Sequence, residues 1–182
     1  MNEPRVPTLT MPVGPRDHVQ GSLDAPLVLV EYGDYECPYC GAAYSEVKLV
    51  QERLGDQLAF VFRNFPLASA HPHAVRAAEA AEAAGAQGRF WPMHDRLYEH
   101  QQELDDESLW RHAAEVGLDV DRFAADLVEH GHLDRIREDL ESGARSGVNG
   151  TPTFFVNGVR HTDGWDAPSL LAALAREREL TR

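Results

Sequence analysis

The chain has 182 residues, 43% of them apolar, and carries 17 basic against 30 acidic side chains, for a formal net charge of −13. That length suits one well-cored domain, and the apolar fraction excludes wholesale disorder. The acidity excludes nucleic acid as a partner, since a phosphate backbone repels such a surface unless basic residues cluster, and the arginines here are scattered; the charge is read as a solubility feature.

Residues 1 to about 24 are Pro-rich and without periodicity, an N-terminal extension expected to lie as a flexible arm or a strap on the domain surface. Its first twenty residues hold four prolines and no continuous apolar stretch, so neither a secretion signal nor a membrane span fits there. The expectation that follows is a cytoplasmic chain, in a compartment that keeps thiols reduced.

A single domain is expected over residues 25–182. Leu27 to Tyr32 is an apolar run of strand length, suited to a central buried strand. Pro38 suits the first turn of a helix, where its missing N–H costs nothing. Tyr44, Val47, Leu49, Val50 and Leu54 continue with mostly helical spacing as far as Gly55, and Leu58 to Phe62 forms a second buried strand. A crossover helix between them should make these two strands parallel.

From His71 to about Gly147 the pattern is helical throughout. Segments are expected over Ala74–Gly85, Phe90–Gln101, Asp106–Gly117, Asp121–Glu129 and Leu133–Ala144, the last with Leu133, Ile136, Leu140 and Ala144 on one face. No linker composition sets them apart, so they read as a helical insertion at about residues 66–148. Strand character returns at Thr153–Val156, Asn157-Gly158 signals a hairpin turn, and Val159–His161 is the return strand. Asp166 is a good N-cap for a closing helix carrying Leu170, Leu171 and Leu174. The order is β-α-β, a helical block, then β-β-α: an α/β fold with a mixed sheet.

The chain's two cysteines are Cys37 and Cys40, separated by Pro38-Tyr39 at the expected helix start. So short a loop constrains the unfolded chain little, and the bond suits being made and broken. Only the thiolate is nucleophilic. A cysteine capping the helix that Pro38 opens faces unpaired N–H groups and the positive end of the macrodipole, which favour the anion. Cys40, three residues on, lies on the same side of the first turn and can resolve a mixed disulfide. Zinc is the competing use of this spacing, but a structural site needs four ligands, and His71 and His73 are separated by Pro72 alone. His71-Pro72-His73 is read instead as the start of a helix. The exchange reading needs no metal and no cofactor.

Glu31, six residues before Cys37, either lies in the core as a proton carrier for Cys40 or sits at a strand edge in water. Asp34 and Glu36 read as solvated carboxylates that oppose thiolate formation somewhat. Trp91, Trp110 and Trp165 read as core or boundary packing, and Tyr39 as exposed. Taken alone, Pro152 is a trans turn proline ahead of a strand.

Together, Val30-Glu31-Tyr32-Gly33-Asp34-Tyr35-Glu36-Cys37-Pro38-Tyr39-Cys40, Arg63-Asn64-Phe65-Pro66-Leu67, His71-Pro72-His73-Ala74, Phe90-Trp91-Pro92-Met93-His94 and Gly150-Thr151-Pro152-Thr153-Phe154-Phe155-Val156-Asn157-Gly158 resemble the DsbA-like branch of the thioredoxin superfamily, over nearly everything from about Ala25 onward. The resemblance implies a thioredoxin-like fold with a helical insertion, Cys37 as nucleophile, Cys40 as resolving thiol and Glu31 as the family's buried acid. It implies a cis-proline at Pro152 facing the cysteines, and substrate contacts at Pro38, Tyr39, Thr151 and Pro152. The implied activity is thiol:disulfide oxidoreductase on protein or low-molecular-weight disulfides, with a redox recycling partner. Two departures bear on direction. Pro38-Tyr39 is the dipeptide of glutaredoxins, and such dipeptides tune potentials that run from about −270 mV in thioredoxin to about −120 mV in DsbA. Many relatives are also exported or membrane-tethered, whereas this sequence shows neither signal. In the expected cytoplasmic setting the direction is reduction or exchange. The rivals are a glutathione or thiol-conjugate transferase, which needs one nucleophile and leaves Cys40 unexplained, and a non-enzymatic peptide-binding module, which would work without Cys37.

Overall fold

Strand-length apolar runs and helix-length amphipathic ones take the places their periods dictate. The computed structural model describes residues 6–180; residues 1–5 of the Pro-rich extension, and 181–182, lie outside the described residues. In chain order the elements are β1 (His18–Gln20), β2 (Leu27–Gly33), α1 (Pro38–Leu54), β3 (Leu58–Asn64), α2 (Ala74–Gly85), α3 (Phe90–Glu99), α4 (Asp106–Glu115), α5 (Val120–Val128), α6 (Leu133–Arg145), β4 (Thr153–Val156), β5 (Val159–Arg160) and α7 (Ala167–Leu180). A short 3-10 turn at Gly55–Gln57 joins α1 to β3. Among the described residues no helix is long and apolar enough to cross a membrane.

The strands form one five-stranded sheet in the order β1-β3-β2-β4-β5. β1 pairs antiparallel with β3, β2 with β4, and β4 with β5. β2 is central and β3 is buried along its whole length, which is why both sequences are apolar runs without alternation. The β4–β5 turn has positive φ at Asn157 (46°) and Gly158 (83°), as the tightest hairpins require. Asn157 also accepts the Val28 N–H through its side-chain oxygen at 2.8 Å.

The Pro-rich extension is a strap, and part of it is a strand that the sequence does not show. β1 is three half-buried residues on a sheet edge, too short and too polar to display a period. Further upstream Thr8 bridges Val159, Leu9 N–H donates to Gly158 O at 2.9 Å, and Arg160 N–H donates to Pro7 O at 2.9 Å. The strap is pinned by Arg63 of β3, which is 1% exposed. Its guanidinium donates to Asp17 Oδ1 (2.8 Å) and Oδ2 (3.0 Å), Met11 O (3.0 Å), Pro12 O (3.2 Å) and Tyr32 Oη (2.9 Å). Burial works against this charge, but the hydrogen bonds it donates to Asp17 and Tyr32 outweigh it and hold the Arg63 pKa above its usual value.

The chain divides into two compact units. One contains the described residues up to Tyr32, Ala42–Arg63 and the chain from Glu141 on; the other contains Gly33–Gly41 and Asn64–Leu140. The cysteine segment is therefore grouped with the helices. In the helical unit α2 packs against α3, α4 and α5. Its run of alanines is buried on nearly every face, since small side chains let three neighbours approach one helix. α4 and α5 are capped one residue ahead of their first turns, by Asp105 accepting Ser108 N–H (3.1 Å) and Asp119 accepting Arg122 N–H (3.0 Å). In the sheet unit Asp166 caps α7 in the same way, accepting Ser169 N–H at 3.0 Å.

Candidate functional site

The loop from β2 into α1 folds around Asp34. Asp34 Oδ1 accepts the Glu36 N–H at 2.8 Å, a local turn available to aspartate, and Asp34 O accepts the Cys37 N–H at 3.1 Å. Its Oδ2 accepts the Leu67 N–H (2.8 Å) and the ring N–H at His71 Nδ1 (2.7 Å), from the segment leading into α2. Asp34 is thus 1% exposed, not solvated as its sequence position implies. Glu36 is engaged too, accepting the His73 backbone N–H at 2.6 Å and approaching His73 Nδ1 at 2.9 Å. His71-Pro72-His73 does lead into a helix, and it also brings two imidazoles to the two carboxylates flanking Cys37. The partners are 37 residues apart, so no local pattern reports them.

On a second side the loop is held by Gln101, just beyond α3. Its side-chain amide donates to Tyr35 O at 2.8 Å and to Cys37 O at 2.9 Å. Cys37 O also accepts the Gly41 N–H at 3.1 Å, closing the first turn of α1. Gly41 leaves room for the amide: a Cβ there would lie 2.0 Å from Gln101 Oε1. Tyr35 is buried, its Oη 3.0 Å from His94 Nδ1 and its ring against Tyr98 with centroids 4.9 Å apart.

Cys37 occupies the residue before Pro38, the position of the helix N-cap. Cys37 is 3% exposed and Cys40 fully buried. Solvent reaches only the first. Tyr39 projects outward at 65% exposure, as expected. Of the tryptophans Trp110 is exposed instead of packed. His71 holds its proton more tightly than usual: partial burial pulls the other way and is outweighed by the hydrogen bond and charge of Asp34, with Cys37 and Glu36 adding to it.

The remaining predicted residues belong to the sheet unit. Glu31 is 2% exposed in central β2, opposite Phe154 of β4, which excludes a solvated strand edge. The Thr151–Pro152 peptide is cis, and Thr153 Oγ1 donates to Gly150 O at 2.7 Å where the chain enters β4. A cavity of about 330 Å³ adjoins Pro152, bordered also by Pro7, Arg160, His161 and Trp165. The structure brings Cys37, Pro38, Tyr39 and Cys40 onto one helical turn, and adds Asp34 and His71, read from sequence as a solvated carboxylate and a helix start, and Gln101, to which sequence reasoning gave no role.

Residues 14–175 match the family model described as Thioredoxin. Among curated proteins the chain is 48% identical over 179 residues to one named Na(+)/H(+) antiporter NhaA 1 from Mycobacterium sp. (strain KMS), covering 97% of this chain and 29% of that protein. It is 49% identical over 169 residues to another of the same name from Salinispora arenicola (strain CNS-205), covering 91% and 26%. The chain thus spans under a third of the length of these relatives. Among solved structures it resembles oxidised BdbD from Bacillus subtilis, with a TM-score of 0.85 at 22% identity over 96% of this chain and 100% of that one. It also resembles a thioredoxin-like oxidoreductase from Silicibacter pomeroyi DSS-3, with a TM-score of 0.81 at 28% identity over 91% and 94%. The chain belongs to the thioredoxin family.

Proposed function

We propose that this member of the thioredoxin family exchanges disulfides of proteins or small molecules through its Cys37-Pro38-Tyr39-Cys40 turn. The observation that carries the reading is the pairing of a slightly exposed thiol at the helix N-cap with a fully buried one in the first turn. The helix end favours the Cys37 thiolate, and exposure makes it the attacker. Its sulfur bonds to one sulfur of the substrate disulfide, whose S–S bond breaks and whose other sulfur leaves and takes up a proton. Cys40, deprotonated, then attacks Cys37 sulfur, closing the internal disulfide and releasing the reduced partner. Two electrons pass from the dithiol to the substrate, and a recycling dithiol returns them.

Glu31 enters the proposal as proton carrier for Cys40, and Pro38, Tyr39, Thr151 and Pro152 as substrate contacts, on the strength of the family resemblance. The burial of Glu31 and the cis bond at Pro152 support these assignments. The proposed direction, in a reducing cytoplasm, is reduction or exchange. The activity is redox exchange and not ion transport.

Trapping tests the reading. With Cys40→Ser, partner proteins should accumulate as mixed disulfides on Cys37, and Cys37→Ser should trap none. A Cys40→Ser variant that holds no partner yet keeps full turnover with a small electrophile would establish the transferase instead. A Cys37→Ser variant that still performs the protein's role would establish a binding module.

A further inference from the structure

The tetrapeptide holding the two thiols contains no cation, and the residues ahead of it, Asp34 and Glu36, are acids. Two carboxylates beside a nucleophilic sulfur oppose its ionisation, so something must offset them. Asp34 Oδ2 lies 2.7 Å from His71 Nδ1, while the backbone of the same Asp34 accepts the Cys37 N–H at 3.1 Å. A carboxylate can only accept, so Nδ1 carries the proton and the ring is oriented by Asp34. His73, farther out, meets Glu36.

We propose that His71, oriented by Asp34, is a positioning residue that supplies the positive charge stabilising the Cys37 thiolate. This inference rests on Cys37 being the nucleophile, as proposed above. The charges that act most on the imidazole are Asp34, Cys37 and Glu36, all from the loop ahead of α1, and His73 follows in its own segment against Glu36. All three raise its affinity for a proton, and only its partial burial opposes them. The imidazolium and the thiolate therefore favour each other, and the sulfur gains from a residue 34 positions away what its own tetrapeptide lacks.

The test is the pH profile of Cys37 alkylation by iodoacetamide, a neutral probe, in a Cys40→Ser background so that one thiol reports. His71→Asn should slow alkylation about threefold at pH 6, since one unit of thiol pKa removes about tenfold of the thiolate and returns about threefold in nucleophilicity. Near pH 10, where the thiolate is complete in both proteins, the variant should match its parent or exceed it by up to about threefold, since a more basic thiolate is the better nucleophile. His71→Lys keeps a positive charge and should match the parent at pH 6. Superimposed profiles for His71→Asn and its parent, an equal loss at both pH values, or a His71→Lys variant as slow as His71→Asn would each overturn the inference while leaving the nucleophile in place. A parent that alkylates no faster than free cysteine at pH 6 would overturn the nucleophile reading itself, and this inference with it.

Discussion

Gln101 and Gly41 show how one missing methyl group can shape a reactive loop. The Gln101 amide bridges the carbonyls of Tyr35 and Cys37, and it fits only because Gly41 has no Cβ. Each of these bonds stabilises the fold by roughly 0.5–1.5 kcal/mol. Gln101→Ala should therefore lower unfolding stability by about 1–2 kcal/mol. Gly41→Ala should cost less, about 0–1 kcal/mol, because the added methyl displaces the amide while alanine, the better helix former, returns about 1 kcal/mol. In the Gln101→Ala background that obstacle is gone, and Gly41→Ala should become neutral or stabilising. Urea unfolding of the four proteins gives the coupling directly. Additive effects would show that the two residues do not interact as described.

At the scale of elements, long apolar runs and capped helices were legible. β2, β3 and β4 announce themselves as largely apolar stretches, and α2 starts and stops where its alanine run does. β1 was not legible, because three polar-flanked residues on an edge carry no period. Its attachment depends on Asp17 and Arg63, which are 46 residues apart. Arg63 gives all five of its N–H groups to partners, four of them to Asp17, Met11 and Pro12 in the strap. Removing Asp17 leaves a guanidinium buried without its counter-charge, and breaking a buried pair from one side costs about 3–5 kcal/mol. Asp17→Ala should lose that much stability in chemical unfolding and expose the strap to proteolysis between residues 6 and 20. A loss below about 1 kcal/mol, within the range of an exposed pair, would contradict this account of the strap.

Over the whole molecule, the order β-α-β, helices, β-β-α and the cysteine turn could be read from sequence, because each rests on local chemistry. The partners of Asp34, Glu36 and the Cys37 carbonyl could not, since His71, His73 and Gln101 reach that loop only through the fold. Nor does composition show that Gly33–Gly41 is grouped with the helices and Glu31 with the sheet. What unites these parts in the functional account is a reversible bond between two sulfurs. Its most direct test is equilibration of the full chain in glutathione buffers of graded ratio, with acid quenching and mass analysis of the fraction oxidised. The account predicts one two-electron transition, Cys37 and Cys40 oxidised together, with a tenfold change in equilibrium constant for about every 30 mV. Separate glutathione adducts on the two thiols with no internal disulfide at any ratio would contradict it.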